Sequence, residues 1–138
     1  MAVIEKALFA HLIADSTVVG LVEKRIYPNM VPQSAAMPAI TYQQISGVRD
    51  HVMAGAVGLV KSRYQINCWA ASYSGAKDVS EAVRKQLDGY SGTIDSCEIS
   101  CIMLDNENDI PQVSPGSEKL TRYGKYLDFI IWYKESTV

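Results

Sequence analysis

Apolar residues recur at helical spacing in two parts of the chain. Residues 2–14 are predicted to form a first helix with one apolar stripe, made of Val3, Ile4, Ala7, Leu8 and Leu12. A second helix is predicted from Ser72 or Ser74 to about Asp88, because a serine can cap its start and Gly89 can end it. Its buried stripe is predicted to consist of Ala76, Val79, Ala82, Val83 and Leu87. Residues 17–22 can form a short additional helical turn.

Alternating apolar and polar positions predict strands between and after these helices. Residues 39–46 and 61–70 each have one face to pack and one mainly polar face. Residues 93–104 predict one or two further strands of ambiguous register, and residues 120–134 predict a last strand. This last strand is apolar on both faces from Phe129 to Tyr133, which is typical of a central position in a sheet. Three prolines predict an irregular connection over residues 28–38.

This order of elements predicts an α+β fold with a mainly antiparallel sheet and two principal helices packed on one face. The length of 138 residues suits one domain that spans residues 1–138. Hydrophobic residues make up 48% and charged residues 20%, as in ordinary globular proteins. We therefore expect a single folded domain and neither a disordered nor a fibrous chain.

The connection between the two first strands, residues 47–60, is predicted to be a long hairpin loop that is too apolar to lie in water. One interpretation is a hairpin that lengthens both strands and folds back on its own domain. The other is an arm that buries its tip against a neighbouring subunit, because contiguous exposed apolar surface usually marks an association site. Its candidate interface residues are Val48, Arg49, Asp50, His51, Val52, Met53, Val57 and Leu59.

Charge and sorting signals exclude several classes of partner. The net charge is −2 without a block of like charges, so sequence-specific nucleic-acid binding is not expected. The N-terminus resembles neither a signal peptide nor a membrane span, and three prolines interrupt the uncharged stretch from Ile26 to Val48. We expect a protein that is made and kept in a cytosol and has no membrane partner.

Residues that could support chemistry were tested against known patterns. Asp105, Glu107 and Asp109 alternate like calcium ligands, but Ile110 and Gly116 stand where that loop needs a turn glycine and a glutamate. They are interpreted as part of a solvated acidic loop, residues 105–117, which is a second candidate interface. Cys97 and Cys101 are predicted to lie on one strand about 13 Å apart, too far to share zinc.

No other pattern supplies a site. The two histidines lack positioned partners, and Gly89 to Gly92 is interpreted as a turn and not as a nucleophile elbow. Three cysteines are interpreted as buried residues without a disulfide. The sequence thus predicts no catalytic residue, metal or cofactor, and we expect no enzymatic function.

Several short segments, in their order and spacing, resemble one family: the tail-completion, or tail-terminator, proteins of long-tailed bacteriophages. The matching features extend over almost the whole chain. They are Ile4 to Leu8, Arg25 to Pro28, Pro38 to Gly47, Arg63 to Ala70, Tyr73 with Ala76 and Lys77, Leu87 to Gly92, and Asp128 to Tyr133.

The resemblance implies a small structural subunit located in the virion and assembled in the bacterial host cytoplasm. It implies a ring, generally a hexamer, that caps the head-proximal end of the tail tube and ends its polymerisation. The implied partners are other copies of the chain, the major tail-tube protein and the head connector or stopper. The alternatives are another phage neck protein, such as a stopper or adaptor, and a small cytosolic ligand-binding domain that uses the hairpin as a lid.

Overall fold

The structure is a computed structural model that describes residues 3–31, 36–52, 55–94, 97–110 and 123–134. For residues 3, 49–52 and 55–59 it describes the backbone alone. Three helices and six strands follow one another along these residues. The helices are α1 (Val3–Ile13), α2 (Ser16–Val22) and α3 (Tyr73–Leu87). The strands are β1 (Ile26–Pro28), β2 (Ala39–Val52), β3 (Gly55–Ala70), β4 (Gly92–Ile94), β5 (Cys97–Ile110) and β6 (Tyr123–Lys134).

Local signals in the sequence account for the helix ends. The Asp15 carboxylate caps α2 by accepting a hydrogen bond from the Val18 backbone N–H at 3.2 Å. The Ser72 hydroxyl caps α3 by accepting from the Gly75 N–H at 3.1 Å, which decides between the two predicted caps. Gly89 follows α3 with φ +82°, a backbone conformation that residues with a side chain rarely adopt.

All six strands belong to one sheet with the order β1-β2-β3-β6-β5-β4. Only the pair β1–β2 is parallel, so the predicted α+β fold with a mainly antiparallel sheet is confirmed. β6 lies between β3 and β5, which confirms its predicted central position.

The main core lies between one face of the sheet and the helices. Both predicted helical stripes are buried there, with Leu8 and Leu12 from α1 and Val79 and Val83 from α3. From the sheet, the largest fully buried side chains include Tyr64, Ile66, Leu127, Phe129 and Ile131. We call this side of the sheet the helix face and the other side the open face, since none of the described helices packs on it.

Two predicted loops are largely strand. Residues 47–60 were expected to form a hairpin loop, but β2 extends to Val52 and β3 begins at Gly55. Residues 105–117 were expected to form a loop, but β5 continues through Ile110. Residues 111–117 lie outside the described residues. Glycines and acidic residues weaken strand propensity, but pairing with the neighbouring strand overrides such local preferences.

Candidate assembly interface

The first feature of the candidate interface is a long β-hairpin. β2 and β3 stay paired from Ala39 opposite Trp69 to Val52 opposite Gly55. Among the described residues, the pairing of β3 with β6 extends as far as Leu59 opposite Lys134. The described end of the hairpin therefore lies past the described part of β6. We call residues 46–52 and 55–62 the arm.

The structure brings most of the predicted hairpin residues together in the arm. Val48 is opposite Lys61, and its side chain is 58% exposed. Arg49, Asp50, His51 and Val52 lie in β2, and Val57 and Leu59 lie in β3. Met53 lies outside the described residues. The role of these residues in contacts with another subunit stays a prediction.

Irregular pairing modifies the arm and the strand before it. The register shifts between Gln44 and Ser46 and again between Arg49 and His51. Such bulges increase the local twist of a strand pair. Ile45, in the first of these shifts, is 48% exposed, so the outer part of β2 presents exposed apolar side chains at two positions.

The three predicted acidic residues lie on β5, but a register shift between Leu104 and Asn106 divides them. Asp105 lies in this shift and accepts a hydrogen bond from Arg63 Nη1 at 2.8 Å. Glu107 is opposite Leu127 and forms an ion pair with Lys125 at 3.2 Å. The acidic residues therefore do not act as one group of ligands.

Asp109 lies near the beginning of α3. Its carboxylate accepts a hydrogen bond from the Tyr73 hydroxyl at 3.1 Å and lies 3.6 Å from Lys77 Nζ. The hydrogen bond with Tyr73, aided by the charge of Asp109, raises the pKa of Lys77. Each acidic residue on this strand thus has a basic neighbour, and the described residues contain no cluster of three or more metal-ligating side chains.

A register shift between Ile99 and Cys101 also corrects the expectation for the cysteines. Cys97 is buried, whereas Cys101 is half-buried and lies opposite Trp132 on the open face. The two cysteines therefore lie on different faces of the sheet, not on one face as predicted. Cys68 is fully buried in the core, and this burial raises the pKa of its thiol to about 12. A thiol in this state is not a nucleophile at neutral pH.

The open face of the sheet is a surface that could not be recognised from the sequence. Its centre is polar, with Gln65 and Asn67 of β3 opposite Asp128 and Tyr126 of β6. Asn67 Oδ1 and Asp128 Oδ1 are buried polar atoms for which the structure gives no hydrogen-bond partner. The only signal in the sequence was that Trp132 and Ile130 make β6 apolar on both faces.

Next to the arm, the open face becomes apolar and basic. Lys61 lies over the ring of Trp132, with Nζ 5.6 Å from the ring centroid. Met103, opposite Ile130, is 50% exposed. A cavity of about 150 Å³ opens here, lined by Ser46, Val48, Lys61, Ser62, Arg63 and Ile130.

A larger groove of about 740 Å³ lies between α2 and α3. Its walls carry Asp15, Asp78, Glu81 and Lys85. Glu81 accepts a hydrogen bond from Arg84 within an ion pair, and this hydrogen bond lowers the pKa of the Glu81 carboxyl. The groove is therefore a helix–helix surface with charged residues on its walls, and the residues that line it do not form a set suited to catalysis.

The structure also gives His11 a role in packing. Its Nε2 lies 2.9 Å from the backbone carbonyl oxygen of Gln86, and its ring lies 4.0 Å, centroid to centroid, from that of Tyr90. None of the described helices is long and apolar enough to cross a membrane.

The sequence was compared with protein families and with curated proteins. Residues 6–112 match the family model described as Tail completion protein gp17. No curated protein matches the chain by sequence.

A solved structure of the virion of a native gene transfer agent particle contains a similar chain. The TM-score is 0.73 and the sequence identity is 18%, and the similarity covers 94% of this chain and 93% of that chain. At this identity the similarity establishes the fold alone.

Proposed function

This chain belongs to the Tail completion protein gp17 family, and from this premise we propose that it caps the head-proximal end of the phage tail tube as a ring of identical subunits. The family match confirms the resemblance drawn from the sequence and makes the protein a structural component of the phage tail in the virion. The proposal adds that the ring ends tube polymerisation and joins the tail to the head connector.

The observation that carries the proposal is the arm, a long hairpin whose two strands stay paired to Val52 opposite Gly55. Subunits in a ring meet head to tail, so each needs two different patches, one that reaches out and one that receives. A long paired hairpin that carries the exposed apolar side chain of Val48 suits the first patch. The acidic outer half of β5 and the residues that follow it are proposed to lie on a ring face towards the tube or the connector.

The proposal concerns assembly and not catalysis. The residues of the arm, the open face and the α2–α3 groove offer charged and apolar contact surface. Among the described residues we find no arrangement of nucleophile, base and orienting group such as an acyl or phosphoryl transfer site requires. This supports a structural role.

The experiment uses tails assembled in the absence of this protein, to which the purified protein is added. We expect tubes of limited length that bind DNA-filled heads, as counted by electron microscopy. If the protein binds heads and not tails, it is instead a head-side stopper or adaptor.

The arm is tested with Val52→Asp combined with Met53→Asp, which places two charges at its apolar tip. We expect smaller oligomers by light scattering and loss of tail joining. Thr17→Asp combined with Ser74→Asp is the matched control, since both residues are exposed in first turns of helices, where acidic side chains are favourable. An unchanged oligomer together with normal tail joining in the arm variant would show that the arm has no role in assembly.

A further inference from the structure

β2 has a paired and an unpaired half on its outer side. β1 pairs with Ile40, Thr41 and Tyr42, and the Asn29 N–H donates to the Tyr42 carbonyl at 2.9 Å. From Gln44 to Val52, no other strand of the described chain pairs with this outer side. With respect to the described residues, the outer edge of the arm is therefore an unpaired strand edge.

β5 also has an unpaired half, at the opposite end of the sheet. β4 pairs with Cys97 to Ile99, and Gly89 and Tyr90 exchange two backbone hydrogen bonds with Ile102. The Asp88 carboxylate accepts a hydrogen bond from the Leu104 N–H at 2.9 Å. From Asp105 to Ile110, no strand among the described residues pairs with the outer side of β5.

Unpaired strand edges present backbone donors and acceptors that readily pair with another chain. Proteins usually protect such edges with lysine, proline or a covering segment. The outer half of β2 contains neither lysine nor proline, and its Ile45 and Val48 are about half exposed. The two register shifts twist this edge, which is one of the ways in which proteins limit nonspecific pairing.

We propose that residues 46–52 of one subunit add to β5 of the next copy of this chain, opposite residues 105–110. Successive antiparallel pairs make β2 and β5 run in opposite directions, so a sheet continued head to tail joins them as an antiparallel pair. In this register Val48 lies opposite Asn108, and Arg49 lies opposite Glu107. This inference rests on the proposed ring and states how its subunits join. It uses the backbone edge of residues 105–110 for the contact between subunits, so that only the side chains of this segment and the residues after it remain for the ring face towards the tube or the connector.

The positions of the two edges determine how far neighbouring subunits are offset. Within one subunit, the pairings across β3 and β6 put Val48 at the same height in the sheet as Cys101. If Val48 of the next subunit lies opposite Asn108, that subunit is shifted by about six residues, or about 20 Å, along the strands. Each subunit contributes four strands to this continued sheet, β2, β3, β6 and β5, so the repeat from one subunit to the next is about 19 Å wide. The offset inclines the strands by about 45°, an angle found in closed β-barrels, so the pairing is compatible with a closed ring.

The offset also keeps the short edge strands clear of the contact. β1 pairs only with Ile40 to Tyr42, so in the next subunit it lies beyond the end of β5 at Ile110. Val52 comes level with Leu104, next to the turn that holds Asp88. The length of the free β5 edge therefore matches the length of the arm.

Charge supports the choice of a second copy as the partner. The arm and the adjoining part of β3 carry Arg49, Lys61 and Arg63 against Asp50. The outer half of β5 carries three acidic residues and no basic one. These acidic residues already have basic neighbours in their own chain, so the support from charge is that head-to-tail contact avoids placing two acidic β5 edges side by side.

Disulfide crosslinking tests this register directly. Residues opposite each other on antiparallel strands have the separation that a disulfide needs. We mix chains bearing Val48→Cys with chains bearing Asn108→Cys, both with Cys101→Ser, and oxidise them on completed tails. The matched control pairs Val48→Cys with Glu98→Cys, an exposed position on the half of β5 that β4 covers.

We expect a disulfide-linked heterodimer on non-reducing gels from the first mixture and no such heterodimer from the control mixture. Completed tails without this heterodimer would overturn the pairing and leave the proposed function intact. A heterodimer in oligomers that neither limit tube length nor join heads would support the pairing and contradict the proposed function.

Charge reversal gives an independent measurement in which no cysteine is introduced. We expect Arg49→Glu to weaken ring formation about tenfold or more, and Glu107→Arg in the same chain to restore it. Equal effects of the single and the double variant would also overturn the register.

Discussion

The hydroxyl of Tyr64, in the middle of β3, donates a hydrogen bond of 3.2 Å to the carboxylate of Glu5 in α1. Tyr64 is 1% exposed, so this bond connects the first helix to the centre of the sheet. Burial and then the charge of Glu5 raise the pKa of Tyr64. The pair illustrates how a polar residue at the edge of a helix stripe can fix the position of that helix on the sheet.

Tyr64→Phe removes this bond and leaves the rest of the packing in place. We expect a loss of about 1–2 kcal/mol in the free energy of unfolding, because a bond to a charged acceptor is lost and Glu5 stays half-buried without it. Urea unfolding at pH 7 measures the loss. Tyr27→Phe in β1 is the control, and an equal loss in both variants would contradict a specific role for the Glu5 bond.

The buried Cys68 thiol predicts a loss of stability in alkali. Its pKa is raised from 9.0 to about 12, so the native state keeps a proton that the unfolded chain releases above pH 9. The stabilising contribution is therefore complete below pH 9 and is lost as the pH rises from 9 to 12. Urea midpoints at several pH values should fall less steeply for Cys68→Ala than for the parent chain. Parallel curves would show that the thiol is not responsible.

Gln86 connects α3 to the end of α1 through two hydrogen bonds. Its Nε2 donates to the His11 carbonyl at 2.7 Å, and its own backbone carbonyl lies 2.9 Å from His11 Nε2. Gln86→Ala should lower the free energy of unfolding by about 1–2 kcal/mol, because a partly buried carbonyl near the helix end loses its donor. Lys85→Ala, an exposed neighbour, should change it by less than about 0.5 kcal/mol in the same urea titration.

Gly124 lets the Trp69 ring lie close to β6. A Cβ at this position would be 2.8 Å from Trp69 Cζ3 and 2.9 Å from Ile110 Cδ1, closer than side chains tolerate. We expect Gly124→Ala to cost about 1–3 kcal/mol, measured by thermal or urea unfolding. Gly20→Ala is the matched control: a Cβ there meets no atom within 4 Å, and alanine in helix α2 should stabilise by about 0.5–1 kcal/mol. Similar losses in both variants would contradict the close approach at Gly124.

The helices and the fold class could be predicted because their signals are local. Leu8 and Leu12 recur at helical spacing, Ser72 precedes α3 and Gly89 follows it, and each of these features depends on residues close in sequence. The central position of β6 was likewise predicted from its own residues, which are apolar on both faces, although the described helices cover only one of these faces. The family resemblance, too, rested on such local segments.

Strand ends, bulges and pairing could not be predicted, since they depend on residues far apart in the chain. Asp105 was expected in a loop but lies in a bulge of β5. Its carboxylate there accepts a hydrogen bond from Arg63, which is 42 residues earlier in the chain. The bulge before Cys101 likewise moved that thiol to the opposite face from Cys97. Hydrogen bonding to a neighbouring strand, and not local propensity, determines these features.

By itself, the sequence determined an α+β chain with two amphipathic helices, an apolar central strand and an apolar segment between two strands, because burial selects side chains at fixed local spacings. Only the tertiary structure decided that this segment is a paired arm, and that in the described part of the chain β2 and β5 each have an unpaired half on the outer side. An edge is free or covered according to which distant segment lies beside it, and that is a property of the folded sheet.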